Sequence, residues 1–246
     1  MLGSESYVMT KMIFFDIGDV LFNEDQQHLW LFHSLLLALR RHGKPVLWDD
    51  WNARRRELAA QGPDPQEAIK TALAVYCRDE AETEALWHEA RAEYEEMRRP
   101  RPFGMLLDEI TPALEDLRPQ FRLGIIANQH PPVSQAIADY GIAPFFDVIV
   151  ISEIVGLHKP DPAIFEYALD EAGIAPHEAI MVGDRPDNDI KPARALGMGT
   201  VRFRRGVQYS LYNPDDPAMR ADETISDVSE LTGSIRRVAA CAVMHV

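Results

Sequence analysis

The 246 residues carry 25 Lys and Arg against 39 Asp and Glu, a formal net charge of −14 with a pI near 5.0. No stripe of basic residues runs along the chain, which argues against nucleic acid or an anionic membrane as the main partner. A small anionic substrate stays open, because local charge in a cleft can oppose the global sign. Hydrophobic residues at 46% and charged ones at 26% are those of an ordinary soluble globular protein, and the length suits one large domain or a core with a smaller insert.

Cys77 and Cys241 stand far apart and outside any metal-binding spacing, so two buried reduced thiols are expected. No stretch approaches about 18 uninterrupted apolar residues. Residues Met1–Thr10 read as a loosely held leader without the features of a secretion signal. The expectation is a cytoplasmic protein.

The first element is the apolar run Met12-Ile13-Phe14-Phe15, a short buried strand of the kind found in parallel sheets. It stops at Asp16-Ile17-Gly18-Asp19. A carboxylate at the end of such a strand is where open α/β sheets place ligand groups. At this point Asp16 serves equally well as a turn cap.

Helical periodicity follows. Leu29, Phe32, Leu35, Leu36 and Leu39 mark an apolar face that ends near Gly43. Further helices are expected over Trp48–Ala60, Pro65–Tyr76 and Glu80–Arg98, divided by Gly62-Pro63-Asp64-Pro65 and Cys77-Arg78-Asp79, with a break at Arg98-Arg99-Pro100-Arg101-Pro102. No strand is evident here, so the segment reads as an all-helical insert.

Strand and helix then alternate: helix at Thr111–Arg118, strand at Arg122–Asn128, helix at Ser134–Tyr140, strand at Phe145–Ser152. Asp161 and Pro162 open a helix that Gly173 closes. Strand Ala179–Val182, helix Asp189–Leu196, strands Thr200–Phe203 and Glu223–Ile225, and a helix near Val228–Ala240 complete the chain. Such alternation of apolar strands with helices indicates a parallel sheet sandwiched by helices.

In that arrangement residues just past the strand ends gather along one edge. Four stretches end so: Asp16-Ile17-Gly18-Asp19, Ala127-Asn128-Gln129, Gly156–Pro162 (GLHKPDP) and Gly183–Asp189 (GDRPDND). Several carboxylates with one lysine suit a hard divalent cation beside a phosphate. An aspartate there can act as nucleophile through an acyl phosphate.

The four stretches, in this order and with this insert, resemble the haloacid dehalogenase superfamily of hydrolases, from Lys11 to about Leu231. The matching motifs are Ile13–Leu21, the strand ending in Asn128, Gly156–Phe165 and Val182–Ala193. The resemblance implies an α/β fold, a three-layer Rossmann-like parallel-sheet core over residues 11–24 and 105–246, with a helical cap over 25–104. It implies a magnesium-dependent phosphatase acting on a small phosphate ester as a monomer or homodimer. Asp16 would be the nucleophile. Asp16, Asp184 and Asp189, with the carbonyl of Gly18, would hold Mg2+. Lys159 would offset the charge of Asp16 and of the phosphoryl group, Asp189 would orient Lys159, and Asn128 would contact phosphate or substrate. His158 is a solvent-facing or specificity residue rather than a base. In the cap, Asn23, Glu24, Asp25 and His28 are candidate substrate contacts.

Two positions depart from the family pattern. Its phosphatases carry a second Asp two residues after the nucleophile, where this chain has Gly18, and a Ser or Thr where it has Ala127. Losing a general acid–base group costs about 10²–10⁴ in rate. Asp19 lies one residue on; in an extended segment it would face the other way, which makes it a poor substitute. Turnover should then favour leaving groups that depart as anions: acyl, aryl or anomeric sugar phosphates. Two alternatives stay open, a catalytically silent binding or regulatory protein on the same fold and a metal-independent 2-haloacid dehalogenase. Members of the latter group have an aromatic residue in place of Gly18 and lack the Gly183-Asp184 pair.

Overall fold

The run Met12-Ile13-Phe14-Phe15 forms β1 (Met12–Phe15) with every side chain buried. The structure is a computed structural model that describes residues 10–60, 65–99, 103–206 and 216–242. The leader at 1–9 and the expected breaks at 62–64 and 100–102 lie outside the described residues. The chain divides into two compact units, one built from residues up to Phe22, Leu106–Arg205 and those from Asp216 on, the other from Asn23–Met105.

After β1 come β2 (Phe22–Asn23), the helices α1 (Asp25–Arg41), α2 (Trp48–Ala60), α3 (Pro65–Ala74) and α4 (Glu80–Arg98), then β3 (Met105–Leu106). The expected bounds of α2 and α4 hold, and Asp79 caps α4 by accepting a hydrogen bond from the Glu82 amide at 2.9 Å. Leu31, Phe32, Leu35, Ala38 and Leu39 of α1 pack with Trp51, Ile69, Leu73, Leu86 and Ala90 into the core of this unit. The apolar face of α1 is therefore rotated from the expected one. Leu29 is 40% exposed, whereas Ser34 is buried with its hydroxyl 3.6 Å from the Met97 sulfur. Among the described residues the segment is helical as expected, and the two short strands that flank it, β2 and β3, pair as a two-stranded ribbon. Gly104 permits that approach, since a Cβ there would lie 2.1 Å from the Asn23 carbonyl oxygen.

The remaining elements are α5 (Ile110–Leu117), β4 (Arg122–Ala127), α6 (Val133–Asp139), β5 (Val148–Ile151), α7 (Ser152–Val155), α8 (Pro162–Ala172), β6 (Ala179–Gly183), α9 (Lys191–Leu196), β7 (Gly199–Phe203), β8 (Glu223–Ile225) and α10 (Leu231–Ala242). Among the described residues the large sheet has six strands, ordered β5-β4-β1-β6-β7-β8, with every pair parallel. Met12 and Phe14 face one way and share a cluster with Ile164 and Phe165 of α8 and Ala193 of α9. Ile180, the register partner of Ile13, faces the other way; it and Val238 of α10 both lie against Gly199. Helices thus cover both faces, which explains why the inner strands are apolar without alternation.

Two elements are shorter than the sequence suggests. The strand expected over Phe145–Ser152 is only β5, because Ala143–Phe145 forms a tight turn around Pro144 and Ser152 opens α7. The helix expected from Asp189 begins at Lys191. Residues Pro186–Ile190 form one wide turn in which the Lys191 amide reaches the Pro186 carbonyl, five residues back. The cysteines are not buried: Cys77 is half-buried just past α3, where its thiol donates to the Leu73 carbonyl, and Cys241 is exposed in the last turns of α10. No helix of the described residues is long and apolar enough to cross a membrane.

Candidate active site

Parallel register sets the site. Phe15 pairs with Ile125 of β4 and Val182 of β6, so the residues that follow these positions emerge at one edge of the sheet. The Asp16 amide still donates to the Val182 carbonyl at 2.9 Å, which keeps the carboxylate one step beyond the strand and in line with Gly183-Asp184. Carboxylate oxygens of Asp16, Asp184 and Asp189 all lie within 4.8 Å of one another.

The loop after α7 brings in Lys159. Its ammonium is 2.7 Å from Asp16 Oδ1 and 2.6 Å from Asp189 Oδ1, with the lysine side chain 2% exposed and Asp189 wholly enclosed. Asp189 is held from its other oxygen, which accepts the Arg185 amide at 3.0 Å across the wide turn. Wide turns of this type often mark functional positions. Here the turn aims Asp189 back over β6. Gly183 leaves the space that this requires, since a Cβ at that position would come within 2.3 Å of the Asp189 Cβ.

Crowding of anions dominates the electrostatics. Burial first, then Asp189, Asp16 and Asp19, hold the Asp184 carboxyl well above the usual range. Burial likewise raises Asp189 to about 6, although Lys159 pulls it down. For Lys159 the balance reverses: burial favours the neutral amine, but Asp16 and Asp189 together outweigh it and raise the pKa. Lys159 pairs with two of the three carboxyls, and at Asp184 the pull of Arg185 is smaller than the push of its anionic neighbours, so the cluster is short of positive charge. Oxygen donors packed this way fit a divalent cation, whose charge would release the protons that burial holds on.

The stretch after Asp16 is a turn. The amides of Val20, Leu21 and Phe22 converge on the Ile17 carbonyl, and Asp19 takes a left-handed backbone conformation with φ 50°. The reasoning that set Asp19 aside from an extended segment therefore does not hold. Asp19 is buried near enough to Asp184 to raise its pKa. Gly18 is half-buried in the same turn and Ala127 is buried at the end of β4.

Asn128 is turned to the Lys159 backbone, donating from Nδ2 to the Lys159 carbonyl and accepting the Lys159 amide at Oδ1, each at 2.8 Å. His158 is exposed. Ser152, which no sequence signal marked, accepts the Gln129 amide at 3.1 Å and donates to the Gln129 carbonyl at 3.3 Å. In the helical unit, Asn23 accepts the Asp25 amide at 2.9 Å, and burial lowers the His28 pKa to about 4, against Asp25 and with Arg55.

A family profile described as haloacid dehalogenase-like hydrolase matches residues 10–197. The chain belongs to the haloacid dehalogenase-like hydrolases. Among curated relatives, the phosphoserine phosphatase of Thermus thermophilus is 32% identical over 226 residues, covering 87% of this chain and 81% of that protein. The glyceraldehyde 3-phosphate phosphatase of Methanothermobacter thermautotrophicus is 28% identical over 201 residues, covering 78% and 85%. Among solved structures, the 2-haloacid dehalogenase of Pseudomonas syringae superposes with a TM-score of 0.56 at 25% identity, over 93% of this chain and 99% of that one. The fold alone thus accommodates carbon–halogen and phosphate chemistry, and the residues at the sheet edge must separate them.

Proposed function

We propose that this hydrolase cleaves the phosphomonoester of a small metabolite in a magnesium-dependent reaction with Asp16 as nucleophile. One observation carries the reading: Asp184 and Asp189 are buried beside Asp16, and Lys159 pairs with Asp16 and Asp189. Attack on a carbon–halogen bond needs only the nucleophile, its lysine and the Asp189 carboxylate that holds the lysine; Asp184 would then be a buried carboxyl at a cost without a use. With a divalent cation and a phosphate it has one. Asp16, Asp184, Asp189 and the Gly18 carbonyl are the groups that would hold Mg2+. When bound, Mg2+ supplies Lewis-acid neutralisation of the phosphoryl oxygens.

Asp16 attacks phosphorus in line, the ester oxygen leaves with the bonding pair, and an acyl phosphate forms on Asp16. Water then attacks the phosphorus, phosphate departs, and the Asp16 carboxylate is restored. Lys159 pairs with Asp16 and offsets charge on the transferring group, and Asp189 holds the lysine in place. Gly18 has no proton to give the leaving oxygen, so anomeric sugar, acyl and aryl phosphates are the favoured substrate class. Phosphoserine and glyceraldehyde 3-phosphate, named for relatives, are alkyl esters and should be slower. The helical insert is assigned the role of cap, which limits entry to small molecules. We take the protein to be cytoplasmic, a monomer or homodimer.

The test is a screen of aryl, anomeric and alkyl phosphates with magnesium and with chelator. Aryl and anomeric substrates should turn over faster than alkyl ones, all of them only with the metal. Equal rates across the classes would mean that Asp19 or a substrate hydroxyl supplies the proton. Chloride release from a 2-haloacid without magnesium would contradict the reading outright.

A further inference from the structure

We infer that Asn128 is a positioning residue for Lys159; this rests on the phosphatase reading above. Lys159 lies on the loop after α7 and carries its charge on a flexible four-carbon stem. Its ammonium is fixed by Asp16 and Asp189, but a loop backbone free to shift would carry the lysine off both carboxylates. Asn128 fixes that backbone. It stands at the end of β4, and its carboxamide takes both main-chain polar groups of Lys159, the amide at Oδ1 and the carbonyl at Nδ2, each at 2.8 Å. A single side chain thus pairs with a loop residue as a neighbouring strand would. The next residue of the sheet edge is secured in the same way, with the Ser152 hydroxyl bridging the Gln129 amide and carbonyl.

Chemistry explains why the residue is Asn. The clasp needs one donor and one acceptor in a fixed planar fork, which a carboxamide supplies and a carboxylate, with acceptors only, does not. Oδ1 and one of the two Nδ2 hydrogens are committed to the Lys159 backbone, so through this clasp Asn128 acts on the transferring phosphoryl group by way of the ammonium. The nucleophile, the lysine and the sheet edge become one rigid assembly: Asp16 hangs on β1, Asn128 on β4 beside it, and Lys159 is tied to both.

The test is a double-mutant cycle of Asn128→Ala and Lys159→Met, assayed on p-nitrophenyl phosphate with magnesium. Asn128→Ala should lower kcat by about 10²-fold with KM little changed, the cost of a small misplacement of a reacting group. In the Lys159→Met background it should cost less than about threefold, because the group it positions is already gone. The same full factor in both backgrounds, a loss carried by KM, or no loss in the wild-type background would each overturn the role. Should Lys159→Met turn over too slowly to measure, orthovanadate affinity by calorimetry closes the cycle under the same criterion. If Asn128→Ala does not fold, Asn128→Asp, which keeps the acceptor and loses the donor, takes its place. A wild-type chain that releases no phosphate defeats the phosphatase reading itself; turnover with an additive cycle defeats only the role of Asn128.

Discussion

Replacing Lys159 with Met removes the cation among three carboxyls while keeping most of the side-chain volume. Both of its ion pairs are short, 2.7 Å to Asp16 and 2.6 Å to Asp189, and the lysine is buried. Breaking a buried pair by deleting one partner costs about 3–5 kcal/mol, because the remaining charge is left uncompensated. The loss should depend on pH in a defined direction. Asp189 has a folded pKa near 6 even with Lys159 pulling it down, and without the lysine it rises further. A carboxyl whose folded pKa is raised keeps its proton in the folded state after the unfolded chain has lost it at about 4. Stability therefore falls as pH climbs from that value to the folded pKa, and stays low above it. For Asp189 alone, a raise of about 2 units corresponds to roughly 3 kcal/mol. Denaturant unfolding in chelator at pH 5 and pH 8 reads the effect. The deficit of Lys159→Met relative to wild type should approach about 3–5 kcal/mol at the higher pH and shrink at the lower one, where Asp189 holds its proton and no longer needs the lysine to balance it. An equal deficit at both pH values, or one below about 1 kcal/mol at pH 8, would refute the reasoning, the latter being the size of an exposed pair.

The same charge shortage predicts that magnesium raises the Tm of the wild-type protein, and more at pH 8 than at pH 5.5, because metal and protons compete for the same oxygens. Calorimetric scans with and without chelator would show it, and superposed scans at pH 8 would contradict it. Gly183→Ala should leave a folded protein, because the clash falls on one side chain of the loop rather than on the core. By displacing Asp189 it should cut turnover by about 10²-fold or more; activity within a few fold of wild type would mean that the turn around Asp189 relaxes freely. Gly18→Asp should speed alkyl phosphates more than aryl ones, since it supplies the missing proton donor, and kcat on matched pairs of esters decides it. An equal gain or loss on both classes would show that the leaving-group proton was never limiting.

Much of the sheet was legible because buried strands and helices with clear caps leave local signals. The run at β1, the bounds of α2, α4 and β8, and the Asp161-Pro162 opening of α8 all appear in the sequence as they do in the fold. Convergence of Asp16, Asp184, Asp189 and Lys159 was also legible, since a parallel sheet forces strand ends to one edge. What escaped depends on partners remote in sequence or on segments too short for a period. Strands of two residues, β2 and β3, cannot show alternation. Pro-Asp-Asn-Asp-Ile at 186–190 reads as the start of a helix, and only the i to i+5 bonding reveals a wide turn. The turn at Ile17, which places Asp19 in the left-handed region, contradicts an extended reading that nothing local argued against. Asn128 and Lys159 are 31 positions apart, so their pairing has no sequence signature.

All of the chemistry proposed passes through one covalent bond between Asp16 and phosphorus. Acid-quenching the enzyme during turnover of an aryl phosphate with magnesium, followed by peptide mapping, looks for that bond directly. The account predicts a phosphoryl group on the peptide bearing Asp16, removed by hydroxylamine and absent from Asp16→Asn, which should also release no phosphate. Phosphate release that persists in Asp16→Asn, or a phosphoryl group trapped on another residue, would contradict it.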